Sequence, residues 1–429
     1  MNANFTTWSN LQTSANGLVA TPAGVVSNAP VFNGFSTLLP LALHEATQRE
    51  SNGKEETLVD AIISDKVRDI MALINMVILA QVISFFGVIA NIINIIVFTK
   101  QGFGEAMTVT LTGLAVADLG TVTCQSWLSF CWNPLFDFKS LELPFQPLQI
   151  VYLSAGQPRL SSVRISAWII AWATLERCLC ITMPFRVREI ITPYRSKVFI
   201  ITLFIINTAS SVPFYYTTRI VPYFDEAVNR SYLVLAFTDD RQEIDSISFS
   251  ISVCLSVCSF VAVAVCTVIL VLTLDKASKW RKSAMASNEI NGEEKSECVQ
   301  ASIDGNKKQE QNPTSGSTNA FKKSKLAASN KNKRAAKMVS IVSTTFIVCS
   351  LPNTLNQLVM ALVPEYAKNG RYVNLNQTSW SVGCMAESVN ASINIFMYYT
   401  MSSKYRSTIQ EMLCKRCRIS IDGKGSTED

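Results

Sequence analysis

Seven apolar runs, near residues 70–98, 107–130, 158–182, 197–216, 246–273, 336–362 and 378–401, constrain this chain more than any other feature. Each approaches the roughly 20 residues needed to cross a hydrocarbon core about 30 Å thick. With no water in that core, a run of this length must satisfy its backbone groups internally, as a helix. Charged residues make up 16% of the chain, against roughly 25% in soluble domains. The fold class is therefore an all-α membrane protein, a seven-transmembrane helix bundle. The net charge of +6 is distributed by segment and is no nucleic-acid signal, and the single histidine, His44, excludes a multi-His metal centre.

Loop charges set the direction of threading. The segment before the first span carries seven acids (Glu45, Glu50, Glu55, Glu56, Asp60, Asp65, Asp69) against four bases, and the 217–245 loop is also acidic. Arg186, Arg188 and Arg195 lie on the opposite side, as does the Lys-rich 275–335 segment. The positive-inside rule then expects a multi-pass plasma-membrane protein with its N-terminus extracellular. The glycosylation sequons at Asn4, Asn229 and Asn376 fall on the expected outer side, while the one at Asn390 lies inside a span. No basic stretch leads into an apolar one near the N-terminus, so the first span is expected to act as start-transfer signal.

The expected organisation is an extracellular tail at 1–69, helices 1 to 5 at 70–274, a basic cytoplasmic loop at 275–335 and helices 6 and 7 at 336–401. An amphipathic interfacial helix at 402–413 and a cytoplasmic tail at 414–429 follow. The 275–335 loop is poor in apolar residues and is expected to be disordered. It reads equally as a solvated linker drawn to anionic lipid or as a partner site. Residues 402–413 place Tyr405, Ile409, Met412 and Leu413 on one helical face. Cys414 and Cys417 follow among Lys415, Arg416 and Arg418, a setting suited to palmitoylation, with two free thiols as the plainer reading.

Polar residues within the spans need a reason, because a charge at mid-membrane costs at least about 2.5 kcal/mol on insertion scales. Asp118 sits mid-way along the second span. In the third, Arg159, Ser166 and Arg177 are spaced by whole helical turns and form one stripe, with Glu176 beside Arg177. The seventh carries Glu387, Asn390, Asn394 and Tyr398 at spacings of three, four and four. Both stripes are expected to face the bundle interior. Ser350, Gln357 and Trp380 lie with Arg159 and Glu387 in the half where a ligand cavity is expected, and Arg164 lies off the stripe.

In order, Asn91, the Leu-Ala-x-x-Asp run ending at Asp118, Glu176-Arg177-Cys178 with Pro184, Phe346-x-x-Cys349-x-x-Pro352, and Asn394-Ile-x-x-Tyr398 ahead of an amphipathic helix resemble the rhodopsin-like (class A) G-protein-coupled receptors. The resemblance covers about residues 70–417. Asn133-Pro-Leu-Phe136, Leu175-Glu-Arg-Cys-Leu-Cys-Ile181 and Asn394-Ile-Phe-Met-Tyr-Tyr399 ahead of Met401-Ser-Ser-Lys404 further resemble a divergent group of molluscan chemosensory receptors.

The resemblance implies a receptor, not an enzyme, that binds an extracellular small-molecule or peptide ligand, sits among membrane lipids and activates a heterotrimeric G protein. It implies coupling roles for Glu176, Arg177 and Tyr398, and a hinge at Pro352. It also implies a sodium site at Asp118, Ser166, Asn390 and Asn394, a donor set that suits a hard cation and equally a hydrated network without an ion. Asn91 is expected to orient Asp118. Beyond this possible allosteric sodium ion, no cofactor is expected. Arg159 and Glu387 read either as a structural ion pair or as partners for an amino acid or short peptide.

Several family features are missing. Tyr152 stands where the family has a cysteine at the outer end of the third helix, and the 217–245 loop has no cysteine. Cys124 and Cys131, separated by about 10 Å of helix, cannot bridge to each other. Ser350 replaces a tryptophan and Ile395 a proline, and around Lys331 to Lys337 the chain is basic where many members have an acid. A transporter or channel is the other class considered, but no inverted repeat or paired broken helix is found.

Overall fold

The computed structural model describes residues 63–133, 143–145, 147–183, 186–225, 229–300, 315–366 and 370–422. Helix α1 spans Asp65–Gln101, α2 Ala106–Cys131, α3 Tyr152–Thr182 and α4 Pro193–Thr217. An antiparallel hairpin, β1 Thr218–Asp225 and β2 Arg230–Phe237, leads into α5 at Arg241–Gln300. Helices α6 at Ser315–Leu362, α7 at Val373–Met401 and α8 at Ser403–Asp422 complete the order.

Six of these helices are long and apolar enough to cross a membrane by length and composition. The seventh is α7, whose 29 residues are diluted by Glu387, Asn390 and Asn394, all buried. Its polarity is directed inward, where neighbouring side chains satisfy it. Large apolar side chains that remain exposed, such as Phe86, Ile205, Val265, Leu272, Val348 and Phe396, form the outer surface, as a lipid-facing bundle requires.

Local chemistry sets the helix ends. Gly102, at φ 77°, closes α1 in a conformation that costs glycine little. Thr192 caps α4 by accepting from the Arg195 backbone N–H at 3.2 Å, and Pro193 occupies the first turn. At the α7–α8 corner, Arg406 Nη1 donates to the carbonyls of Tyr399 and Thr400 at 2.9 and 2.7 Å. Ser402 Oγ accepts from Tyr405 N at 3.2 Å, so the last carbonyls of one helix and the first amides of the next are both satisfied.

Helix α3 is central, packing against α2, α4, α5 and α6, while α7 closes the bundle between α6 and α1. One apolar cluster, including Leu114, Ile169, Ile170, Val342 and Phe346, fills the half nearer α8. A smaller one, with Met76, Leu128, Tyr152, Trp380 and Cys384, fills the half nearer the hairpin. Close approach of α1 to α7 depends on Gly87, where an added Cβ would lie 2.2 Å from Ser392 Oγ and 3.0 Å from Val122 Cγ1. Ser392 Oγ is held by bonds to the Ser388 and Ile83 carbonyls at 2.7 and 3.2 Å. Gly87→Val is therefore expected to destabilise by roughly 1–3 kcal/mol, read as a lower melting temperature of the purified protein; an unchanged melt would show that the two helices can part there at no cost.

The structure corrects two expectations about the connections. The 217–245 segment forms a hairpin whose Val234, Leu235 and Ala236 are buried. Pro222 is tolerated opposite Leu233 because the Leu233 N–H points away from β1 and donates to the Pro144 carbonyl at 2.7 Å. The 275–335 segment is helical up to Gln300 and again from Ser315. Extending an already nucleated helix is far easier than starting one, and Ala, Lys and Glu are good helix formers, so low hydrophobicity alone did not make this segment irregular. Helix α8 likewise runs to Asp422, beyond the expected end at Leu413.

Candidate functional site

Both polar stripes are buried, and they meet at the centre of the bundle. Arg159 Nη2 of α3 donates to Glu387 Oε2 of α7 at 2.5 Å, with the two side chains 2% and 5% exposed. Asn353 of α6 donates its amide to the other Glu387 oxygen. Pro352 lies inside α6 beside this contact and removes one rung of the backbone ladder. Gly383 lets α7 come in against Asn353, since a Cβ there would lie 2.9 Å from the Asn353 Cβ. Three helices are thus tied together by one carboxylate.

A second carboxylate lies closer to α8. Asp118 is buried and accepts from Ser166 Oγ at 2.8 Å on one oxygen and from Asn394 Nδ2 at 2.8 Å on the other. Asn390 and Ser350 line the same small cavity, about 210 Å³ of empty space that also touches Thr121 and Glu387. The Ser350 hydroxyl is buried without a hydrogen-bond partner. One carboxylate, the hydroxyls of Thr121, Ser166 and Ser350 and the Asn390 amide around this cavity make a donor set of the kind a hard monovalent cation takes.

At the α8 end, Arg177 Nη2 donates to Glu176 Oε1 at 2.5 Å, and Thr110 Oγ1 of α2 donates to Glu176 Oε2 at 3.4 Å. Glu176 is the ion-pair partner of Arg177 among the described residues. Arg334 and Lys337, at the start of the packed part of α6, are exposed. Tyr398 is 1% exposed and packs edge-on against Phe98 with ring centres 5.2 Å apart. Tyr405 of α8 completes this aromatic cluster. Burial pushes the Tyr405 hydroxyl up to about 12, so it stays protonated and donates to Asn94 Oδ1 at 2.6 Å.

At the hairpin end, a larger cavity opens between α3, α4, α5 and α6, with about 490 Å³ of empty space, part of it open to solvent. Leu160, Arg164, Phe214, Asp245, Phe249 and Gln357 are among its lining residues.

Of the five residues expected to bind a ligand, the structure places only Gln357 in this larger cavity. Arg159 and Glu387 satisfy each other, Ser350 lines the Asp118 cavity instead, and Trp380 packs on Trp132 in the second apolar cluster. Arg164 and Asp245 were missed. Arg164 lies off the Arg159 stripe, but because α3 is central, more than one of its faces points inward. Asn91 is also corrected: its amide donates to the carbonyls of Gly87 and Ala391 at 3.0 and 2.8 Å, tying α1 to α7, and it makes no bond to Asp118.

The modification sites separate in the same way. Asn229 is exposed at the turn of the hairpin, at φ 51°. Asn376 is 2% exposed, accepts from Asn356 Nδ2 at 3.2 Å and donates to the Tyr366 carbonyl at 2.8 Å, which leaves its amide nitrogen no room for a glycan. Asn4 lies outside the described residues. Cys414 is exposed at the end of the amphipathic face, while the Cys417 side chain lies outside those described. Cys124 and Cys131 are free thiols.

No match is found among curated proteins. The family described as 7 transmembrane receptor (rhodopsin family) matches residues 90–398, from the Asn91 position on α1 to Tyr398 on α7. The matched segment contains the Asp118 cradle, the Glu176–Arg177 pair and the proline inside α6, Pro352, in a helical bundle whose buried core carries polar residues of several helices. The chain belongs to the rhodopsin family of seven-transmembrane receptors.

Proposed function

We propose that this receptor sits in the plasma membrane with its N-terminus and hairpin outside, binds an extracellular chemical cue in the cavity at the hairpin end, and activates a heterotrimeric G protein at the α8 end. One observation carries this reading: a single continuous helix, α3, lines the cavity with Leu160 and Arg164 and, some four turns later, presents Glu176 and Arg177 at the opposite end. A rigid helix with a ligand surface at one end and a charged pair at the other can convert binding into movement at a distance, provided the ligand favours one arrangement. The positive-inside charge pattern supports the orientation. The segments resembling molluscan chemosensory receptors support a chemosensory cue.

Asn229 at the exposed hairpin turn suits a glycan on the outer side, as does Asn4 by its sequon. Cys414 and Cys417 beside basic residues suit palmitoylation at the inner leaflet. A calcium readout in cells carrying promiscuous G proteins, screened with small molecules and peptides, tests the central claim. The expected result is a response that requires both this chain and the G protein. A ligand that binds the purified chain yet evokes no response through any G-protein class would overturn it.

The residues around Asp118 fit a sodium ion by the chemistry of the donor set and the unpartnered Ser350 hydroxyl. Asp118 would supply the charge, with Ser166, Asn390 and Asn394 contributing neutral oxygens. When bound, the ion would balance a carboxylate that is otherwise held only by neutral donors. Sodium is then expected to favour the resting state by binding it better than the active one. Agonist potency should be lower in sodium than in an impermeant organic cation at equal ionic strength, and Asp118→Asn should remove most of that difference while the amide keeps the helices bridged. Equal wild-type potency in the two media would leave a hydrogen-bonded network and no ion site.

A further inference from the structure

We propose that the cavity between α3, α4, α5 and α6 takes a small organic acid, with Arg164 as the anchor for its carboxylate and the apolar wall around its body. This rests on the reading of that cavity as the receptor's ligand site and goes beyond it by naming the ligand's chemistry. Arg164 is 5% exposed. Its hydrogen bonds go only to neutral groups, from Nε to Asn207 Oδ1 at 3.4 Å and from Nη2 to Ser161 Oγ at 3.3 Å and Ser210 Oγ at 3.2 Å. These bonds are long for a guanidinium. No ion pair joins Arg164 to a carboxylate among the described residues. The contrast with Arg159, five residues earlier, is direct: that guanidinium is fully buried and has Glu387.

The other charge in the lining does not serve Arg164. Asp245 is 3% exposed, and its Oδ2 accepts from Arg241 Nε at 2.9 Å while its Oδ1 accepts from Thr217 Oγ1 at 3.2 Å. Arg241 is in turn stacked over the Phe237 ring at 3.3 Å. Asp245 is thereby matched within α5, and the charge left over in the cavity is positive. A lysine in this position could shed its proton, but a guanidinium stays charged. A buried, uncompensated cation is costly, so an anion that enters gains what the protein lacks.

Ligand shape follows from the remaining wall. Leu160, Phe214, Phe249 and Val253 are apolar, and Ser248 and Gln357 offer neutral hydrogen bonds. The enclosed part of the cavity is small and it opens to solvent, so it suits a compact acid whose tail extends to the mouth, not a protein or a long peptide. A planar guanidinium fork matches a carboxylate in a paired geometry that an amide cannot reproduce and an amine would oppose.

The test measures melting of the purified full-length chain in non-ionic detergent against rising hexanoate or hydrocinnamate, with hexanamide, hydrocinnamamide and hexylamine as matched controls. Expected is a saturable rise in melting temperature with the acids, the amides needing roughly 10- to 100-fold more for the same shift, and no rise with hexylamine. Arg164→Met should lose the acid response, and Arg164→Lys should keep a weaker one. Equal potency of acid and amide, stabilisation by hexylamine in place of the acids, no shift with either acid, or an acid shift that survives Arg164→Met would each overturn the proposal. The acid-against-amide comparison uses the native chain, so it stands even if a variant fails to fold. No G protein is present in this assay, so its failure leaves the coupling claim intact, and a failure of coupling leaves the acid response measurable.

Discussion

Glu387→Ala is expected to remove folded receptor from the cell surface almost entirely. Glu387 is the one carboxylate bonded to both Arg159 on α3 and Asn353 on α6, at a depth where the two charged side chains are 2% and 5% exposed. Truncation would strand the buried Arg159 guanidinium, whose Nε already lacks a hydrogen-bond partner. Breaking a buried pair from one side costs roughly 3–5 kcal/mol, a large part of a typical total stability of about 5–15 kcal/mol. The same reasoning separates the pair's net worth from the cost of breaking it. Arg159→Met combined with Glu387→Met should recover much of the lost expression and melting temperature, since neither member of the pair is then left charged without its partner. Surface labelling and detergent melts of the two single variants and the double variant provide the check; a Glu387→Ala protein that melts like the native one would show that solvent reaches Arg159.

The second large effect is on signalling with the fold kept. Arg177→Ala is expected to abolish G-protein activation while surface expression falls far less than in Glu387→Ala, because Thr110 Oγ1 still donates to the Glu176 carboxylate that the change leaves behind. Glu176→Gln should act in the opposite direction. Glu176 is the partner that holds Arg177, and α6 presents Arg334 and Lys337 where a second acid could have reinforced it. Weakening a charge-assisted bond worth about 1.5–3 kcal/mol would raise the released population, and with it ligand-free activity, by roughly 10- to 100-fold. Nucleotide exchange without ligand measures the rise. A full response from Arg177→Ala, or silence from Glu176→Gln in an otherwise responsive protein, would remove this pair from the signalling path.

What could be read from the sequence follows from which costs are local. A charge inside an apolar run is expensive wherever its neighbours lie, so Asp118, Arg159, Arg177 and Glu387 could be assigned to the interior from helical spacing alone, and all four are buried there. Pairing was harder. Arg159 and Glu387 are 228 positions apart, and nothing in either run states whether they meet each other or a ligand. Helical spacing from Arg159 does not place Arg164, because a central helix has more than one inner face. Five residues from Arg159 is about 140° around the axis, which on a peripheral helix points to lipid and on the central α3 points to another cavity. The Asn376 sequon misled for a related reason: three residues specify an acceptor, but only the packing of Tyr366 and Asn356 around it specifies that the acceptor is enclosed. The hairpin does have a signal in the short apolar runs at 220–224 and 232–237, rich in Val, Ile, Tyr and Phe, which loop charge does not register.

The uneven enclosure of the helices also has a consequence for how such a chain changes over generations. In α2, 67% of the spanning window is shut inside the protein, whereas in α5 only 22% is. Most α5 positions face fluid hydrocarbon, which distinguishes poorly among Leu, Ile, Val and Phe, so exchanges among them are nearly invisible to selection. Most α2 positions instead fit a particular neighbour, such as Gly113 beneath the Ile200 side chain, where even one added carbon would collide at 2.9 Å. Diverging descendants should therefore keep α2 recognisable long after α5 has lost every trace of shared ancestry except its greasiness.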